Sequence, residues 1–103
     1  HPPTAVFCSN DSTALGALEA LRRRGIDVPT GCSVVGYDDM EMAAHSPPPL
    51  TTVHVDIGLL GAQAVWHLVQ RVAAPAMTRR TTRLGVRLVI RSSTAPPPPA
   101  GGA

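Results

Sequence analysis

The chain has 103 residues, 44% of them apolar but only 3% aromatic, enough for one domain whose core must come from Val, Leu, Ile and Ala. Its nine basic residues are all Arg and its formal net charge is +2, too weak a field to make this segment itself a nucleic-acid binder. No apolar run approaches the length of a membrane span, and the two cysteines, Cys8 and Cys32, fall in apolar strand contexts that suit buried thiols better than a disulfide.

The chain opens on His1-Pro2-Pro3 with no initiator Met, which reads as the later piece of a longer protein, so the lack of a signal peptide says little about compartment. Thr4–Cys8 is the first predicted strand. Ser9, Asn10, Asp11 and Ser12 offer several N-cap candidates for a helix to about Arg24, with Leu15, Leu18 and Leu21 in its stripe. Arg22, Arg23 and Arg24 complement the negative end of that helix, and Gly25 supplies a left-handed cap. After the connector Ile26-Asp27-Val28-Pro29, Cys32–Tyr37 is a second strand. Strand, helix and strand make a parallel βαβ unit with a right-handed crossover.

Residues 40–44 fit a single helical turn, ended by Pro47-Pro48-Pro49. Leu50–Val55 is a third strand. Asp56 caps a long helix to about Ala73, whose apolar face is Ile57, Leu60, Gly61, Ala64, Val65, Leu68 and Val72. Gly61 on that face suggests close approach of another backbone, and Trp66 lies to one side. His67 falls on the polar flank, and Arg79, Arg80 and Arg83 in a polar connector, all read as solvated. Leu84–Arg91 is the last strand, and residues 96–103 read as a disordered Pro/Gly-rich tail.

The chemistry-bearing positions stand at strand ends. Val34-Val35-Gly36 runs out into Tyr37-Asp38-Asp39, and the first strand runs into Ser9-Asn10-Asp11. Open parallel sheets bind ligands beyond the carboxyl ends of their strands. An amide that donates and accepts, beside a carboxylate that accepts, suits a ligand rich in hydroxyls. Asn10 reads equally as the helix cap, and Asp38 as a turn carboxylate bonding its own loop. Asp39 reads as a local turn residue or a structural partner.

Adjacent carboxylates diverge in an extended segment, which is poor geometry for an acid/base pair. The chain has neither a G-x-S-x-G elbow nor an H-E-x-x-H helix. His45, His54 and His67 have no zinc-like spacing with the cysteines. Gly58 and Gly61 lie within a helix rather than in a phosphate loop. An enzyme, a metal and a cofactor are therefore not expected.

The segments Thr4–Asp11, Ala14-Leu15-Gly16-Ala17, Val28-Pro29, Ser33–Asp39, Pro48–Val53, Leu60-Gly61 and Leu88–Thr94 follow one another at a spacing that resembles lac repressor-type (LacI/GalR) transcription factors. The resemblance runs up to Thr94. It implies an α/β, type I periplasmic-binding-protein-like sugar-binding core, here partial: a parallel β-sheet flanked by helices. Residues 1–95 would be the C-terminal portion of the effector-binding domain. Residues 4–53 would belong to its C-terminal lobe, helix 56–73 would cross to the other lobe, and the last strand would return.

The resemblance also implies a function: effector-responsive regulation by a cytoplasmic homodimer that binds operator DNA through a helix-turn-helix headpiece absent from this chain. A small effector, a sugar or related molecule, would sit between the lobes. Carried over, Asn10 and Asp38 match effector contacts of the C-terminal lobe. Ile57 matches a ligand-packing position that is often aromatic. Leu15, Leu18, Met40, Met42 and His45 match dimer surfaces. Val55 departs from a common Gln and Arg87 from a common acidic or polar residue. The rival readings are the solute-binding protein of a sugar transporter, which shares the fold, and a fragment with no function of its own, whose long helix exposes its apolar stripe.

Overall fold

The computed structural model describes residues 2–99, so His1 and the last part of the expected tail, 100–103, lie outside it. The described chain divides into two compact units: one from the N-terminal side to His54, rejoined from Arg87 onward, and one comprising Val55–Val86.

In the first unit, β1 (Ala5–Phe7) pairs in parallel with β2 (Ser33–Val35), Phe7 opposite Val35. Between them runs α1 (Asp11–Arg23). Of the four N-cap candidates the structure uses Asn10: its backbone is extended, and its side-chain oxygen accepts from the Thr13 N–H at 2.8 Å. The helix stops as expected at Gly25, whose φ of +69° is the left-handed conformation glycine adopts without strain. The Gly25 N–H donates to the Arg22 carbonyl and the Ile26 N–H to the Leu21 carbonyl, the bond pair that satisfies the last orphan carbonyls of a helix. Arg22 and Arg23 do more than face the dipole, because both bind the Glu19 carboxylate at 2.7 Å.

The predicted single turn is α2 (Glu41–His45). Beyond it β3 (Thr52–His54) lies beside β2, with parallel bridges Val35↔Thr51 and Asp38↔His54. The last strand, β4 (Arg87–Val89), differs from the expected parallel arrangement: it pairs antiparallel with β3, Thr52 opposite Val89 and His54 opposite Arg87. The chain leaves β3 at His54 and re-enters beside it at Arg87, running the other way. All four strands are three residues long, shorter than the predicted spans. A ladder lasts only while both edges keep their partners, and the Leu50 N–H, for example, donates to the Ala43 carbonyl instead.

Cys8, Ala14, Leu18, Val34, Ala43 and Leu50 form the core of this unit, with Val6, Leu15 and Leu21 against it. Both cysteines are free and buried, and burial pushes the Cys8 thiol pKa up. Ser93 is fully buried between β2 and β3. Its hydroxyl donates to the Val34 carbonyl (2.6 Å) and accepts from the Thr51 N–H (2.8 Å), and its own carbonyl accepts from the Val34 N–H. One serine thus satisfies the backbone groups that β2 and β3 leave open where they diverge. Residues 96–99 carry no regular secondary structure.

The second unit is α3 (Ile57–Ala73) and the segment after it. Asp56 caps α3 as expected, accepting from the Leu59 N–H at 2.8 Å. No residue of this helix is buried. The backbone approach expected at Gly61 is not made among the described residues, since nothing beyond its own stretch of helix lies within 4 Å of a Cβ built there. His67, read as solvated, is instead half-buried: its Nε2 is 2.8 Å from the Thr82 hydroxyl, and its ring meets Trp66 edge-on. Arg71 donates to the Met77 carbonyl, which holds the chain after α3 against it.

Candidate functional site

The parallel register sets the geometry of the strand ends. Phe7 and Val35 are the last paired residues of β1 and β2, and Asn10 and Asp38 each stand three residues further on. The Asp11 N–H donates to the Tyr37 carbonyl at 2.9 Å, so the two loops remain tied past the ladder. Two of the expected effector contacts are thereby brought to one edge of the sheet, as the strand-end argument requires. The third, Ile57, belongs to the second unit and is 61% exposed.

Asn10 keeps both roles open in chemical terms. Its side-chain oxygen is committed to capping α1, while the amide nitrogen of the same group remains a donor. Asp38 differs from the turn carboxylate that bonds its own loop. It is fixed through its backbone, its N–H donating to the Val53 carbonyl at 2.9 Å. Asp38 is half-buried, and its carboxylate takes part in none of the hydrogen bonds among the described residues.

The turn that carries Asp38 is strained. Asp38 has φ +111° and Asp39 φ +57°, conformations that cost a non-glycine residue about 1–3 kcal/mol each and persist only where the surroundings enforce them. Here the surroundings are specific. The Met40 N–H donates to Asp11 Oδ2 at 2.7 Å, and the Thr52 hydroxyl donates to Asp11 Oδ1 at 2.6 Å. The Asp39 N–H reaches the same Thr52 hydroxyl at 3.4 Å. Asp11 is fully buried. Gly36 is what lets it lie there, because a Cβ at position 36 would collide with the Asp11 carboxylate and come within 2.9 Å of Leu50.

Asp39 is a structural partner, the second of its two expected roles. Arg91 donates to one of its carboxylate oxygens at 2.7 Å, and His54 Nδ1 lies 2.9 Å from the other. Burial pushes the Asp39 carboxyl up, but the hydrogen bonds from Arg91 and His54 outweigh it and hold the group below the ordinary carboxylate range. A second Arg91 nitrogen donates to the Leu50 carbonyl. The two adjacent aspartates thus have opposite states, one engaged on both oxygens and one unengaged.

Thr52 and Arg91 were not singled out from sequence, and Asp11 and His54 were weighed there only as a helix cap and as a zinc ligand, not in these roles. Arg91 had a signal, a lone cation directly after an apolar strand run, which demands a carboxylate partner if the strand end is covered. Asp11 had none, since its partners are 29 and 41 positions away.

The expected dimer residues divide. Met40 and Met42 are 39% and 44% exposed, His45 is exposed and Leu15 half-buried. Leu18 is only 6% exposed and belongs to the core of its own chain. What little of it is open lies at the rims of two grooves, one shared with Leu15, Glu19 and Ser46 and the other with Ile26, Val28 and Pro48.

A β-α-β core with polar side chains at its carboxyl strand ends has the architecture in which open α/β sheets bind ligands. Residues 1–94 match the model of the periplasmic binding protein-like domain, and the chain belongs to that family, in its lac repressor-type (LacI/GalR) branch. Among curated relatives it is 43% identical, over 88% of its length, to the HTH-type transcriptional repressor PurR of Pasteurella multocida strain Pm70. It spans 27% of that protein. Among solved structures it is similar to the transcriptional regulator CelR in complex with cellobiose, at 37% identity and a TM-score of 0.81 over 87% of this chain and 28% of that one. The lac repressor dimer bound to operator and the anti-inducer ONPF matches at 40% identity and a TM-score of 0.79, over 89% and 32%.

Proposed function

We propose that this chain is the C-terminal portion of the effector-binding core of a LacI-type transcriptional regulator, and that it contributes Asn10 and Asp38 to the site of a small, hydroxyl-rich effector, a sugar. The observation that carries the reading is the level placement of those two residues past neighbouring parallel strands, with the Asp38 carboxylate unengaged. A carboxylate accepts from two sugar hydroxyls at once, and the Asn10 amide donates to a third oxygen. Ile57, carried over from the family, would offer the effector contact area rather than ring stacking, being aliphatic.

The family supports the rest. Operator DNA would be bound by a headpiece outside this chain, in a cytoplasmic homodimer joined through Leu15, the rim of Leu18, Met40, Met42 and His45. Effector binding would shift operator affinity only as far as the effector prefers one arrangement of the core over another. The relatives named are repressors and regulators, which favours this reading over a transporter's solute-binding protein, and no catalysis is assigned.

The test is a thermal-shift screen of the full-length parent protein against pentoses, hexoses, disaccharides, sugar phosphates and nucleobases, since a compound that binds only the folded state raises the melting temperature. A sugar that shifts the parent protein should lose about tenfold or more in affinity on Asp38→Ala, which removes a charge-assisted acceptor. Unchanged affinity would refute the assignment of Asp38.

A further inference from the structure

We infer that Asp11 is the positioning residue of the effector site: its buried carboxylate holds the Asp38-Asp39 turn in the left-handed conformation from which Asp38 meets the effector. The inference rests on the reading of Asp38 as an effector contact and adds a residue that touches no ligand.

The turn has two consecutive non-glycine residues at positive φ, +111° and +57°, so it does not hold itself. Its exit is anchored by the Met40 N–H on Asp11 Oδ2. Its middle is anchored by the Asp39 N–H on the Thr52 hydroxyl, and that hydroxyl donates in turn to Asp11 Oδ1. An oxygen that accepts from one group while donating to another is fixed in orientation by the second bond. Asp11 is therefore the common acceptor behind both anchors. Its own backbone is set by the Asp11 N–H on the Tyr37 carbonyl, one residue before the turn begins.

Asp11 is also the first residue of α1, directly after the Asn10 cap. The same side chain therefore couples the loop of one expected contact to the loop of the other. A carboxylate can serve as a double acceptor with no donor of its own, whereas an amide offers one acceptor oxygen and two N–H groups. Facing the Met40 N–H and the Thr52 hydroxyl, Asn at position 11 turns an N–H toward one of them, so either the Met40 N–H loses its acceptor or the Thr52 hydroxyl must reverse and give up its donor bond.

The experiment uses the full-length parent protein and four forms: native, Asp11→Asn, Thr52→Val and, as a control, Ser93→Ala. Ser93 is fully buried and bonds β2 and β3 away from the turn, so its loss lowers stability without releasing the turn. Two readouts are taken. One is hydrogen–deuterium exchange of residues 36–42. The other is affinity for a panel of neutral pentoses, hexoses and disaccharides, cellobiose included.

Asp11→Asn and Thr52→Val should speed exchange across 36–42 and weaken binding of whichever panel sugar the native protein holds by about tenfold or more. Ser93→Ala, at a comparable loss of melting temperature, should leave both readouts at the native level. If Asp11→Asn and Ser93→Ala at matched melting temperature behave alike in both readouts, Asp11 is a structural residue only and the inference is overturned. Thr52→Val keeps the question answerable if Asp11→Asn does not fold. A native protein that binds no panel sugar overturns the sugar reading instead, and the local exchange of 36–42 still decides whether Asp11 holds the turn.

Discussion

The two units of this chain are built from similar residues and end in opposite states. In the first, α1 places Ala14 and Leu18 against Val34, Leu50, Cys8 and Ala43, and these are closed to solvent. In the second, α3 carries a longer and more continuous apolar stripe, yet Ile57 is 61% exposed, Leu68 62% and Val72 71%. Amphipathic periodicity makes both segments helical, but burial is a property of the pair of surfaces, and only α1 finds its second surface within these residues. A helix whose apolar side stays in water has its caps and propensity to hold it, and most helical stability comes from packing.

Removing a side chain from the closed unit tests that contrast most severely. Leu50 is fully buried, and Leu50→Ala should cost about 2–5 kcal/mol through lost transfer energy and the cavity left behind. Urea unfolding measures it, and a cost below about 1 kcal/mol would mean that the core of the first unit is not closed around Leu50.

A smaller effect is expected at the ion cluster of the same unit. Asp39→Asn leaves Arg91, one-fifth exposed, without its charged partner, and should cost about 1–2 kcal/mol at neutral pH, the partial exposure holding it below the fully buried range. The sign of its pH dependence follows from the depressed carboxyl. The folded value lies below the unfolded one, so the contribution is complete at neutral pH, begins to fall as pH approaches the ordinary carboxylate range, and is lost as pH drops through the folded value. The native protein should therefore lose more stability than Asp39→Asn between about pH 5 and the folded value. Parallel slopes in that window would mean that Asp39 is not held by Arg91 and His54.

These residues also mark how far sequence reaches. The elements, their order, the Asp56 cap and the Gly25 stop were legible because each is local: a period, a capping oxygen, a residue tolerant of positive φ. The strand ends at Asn10 and Asp38 were legible because the run of apolar residues says where a strand stops. The antiparallel entry of β4 was not, since a short strand of alternating residues carries no record of its direction. Nor was the Asp11–Thr52–Met40 linkage or the Ser93 bridge between β2 and β3, which join residues dozens of positions apart, through atoms whose type is common everywhere in the chain. Asp38 and Asp39 show the limit most plainly: two identical neighbours, one engaged on both oxygens and one on neither, separated by contacts that come from β3 and the segment after β4.

The smallest effect on stability belongs to the open unit. Leu68→Gln and Val72→Gln together replace two exposed apolar side chains of α3 with a residue of similar helix propensity. In the 103-residue chain this pair should change unfolding free energy by less than about 0.5 kcal/mol, the range of surface substitutions. The same pair should lower self-association and dye binding, because it shrinks an exposed apolar stripe. Sedimentation at increasing concentration reads the first, and fluorescence of an apolar dye the second. In the full-length parent protein, where the stripe would be covered, each of the two positions should instead cost about 1.5–3 kcal/mol, the value of burying a Val or Leu side chain. A large cost in the short chain would show that α3 is already packed there and would erase the contrast between the units. A negligible cost in both settings would mean that the stripe stays in water throughout, and that the second unit has no partner surface in the parent protein either.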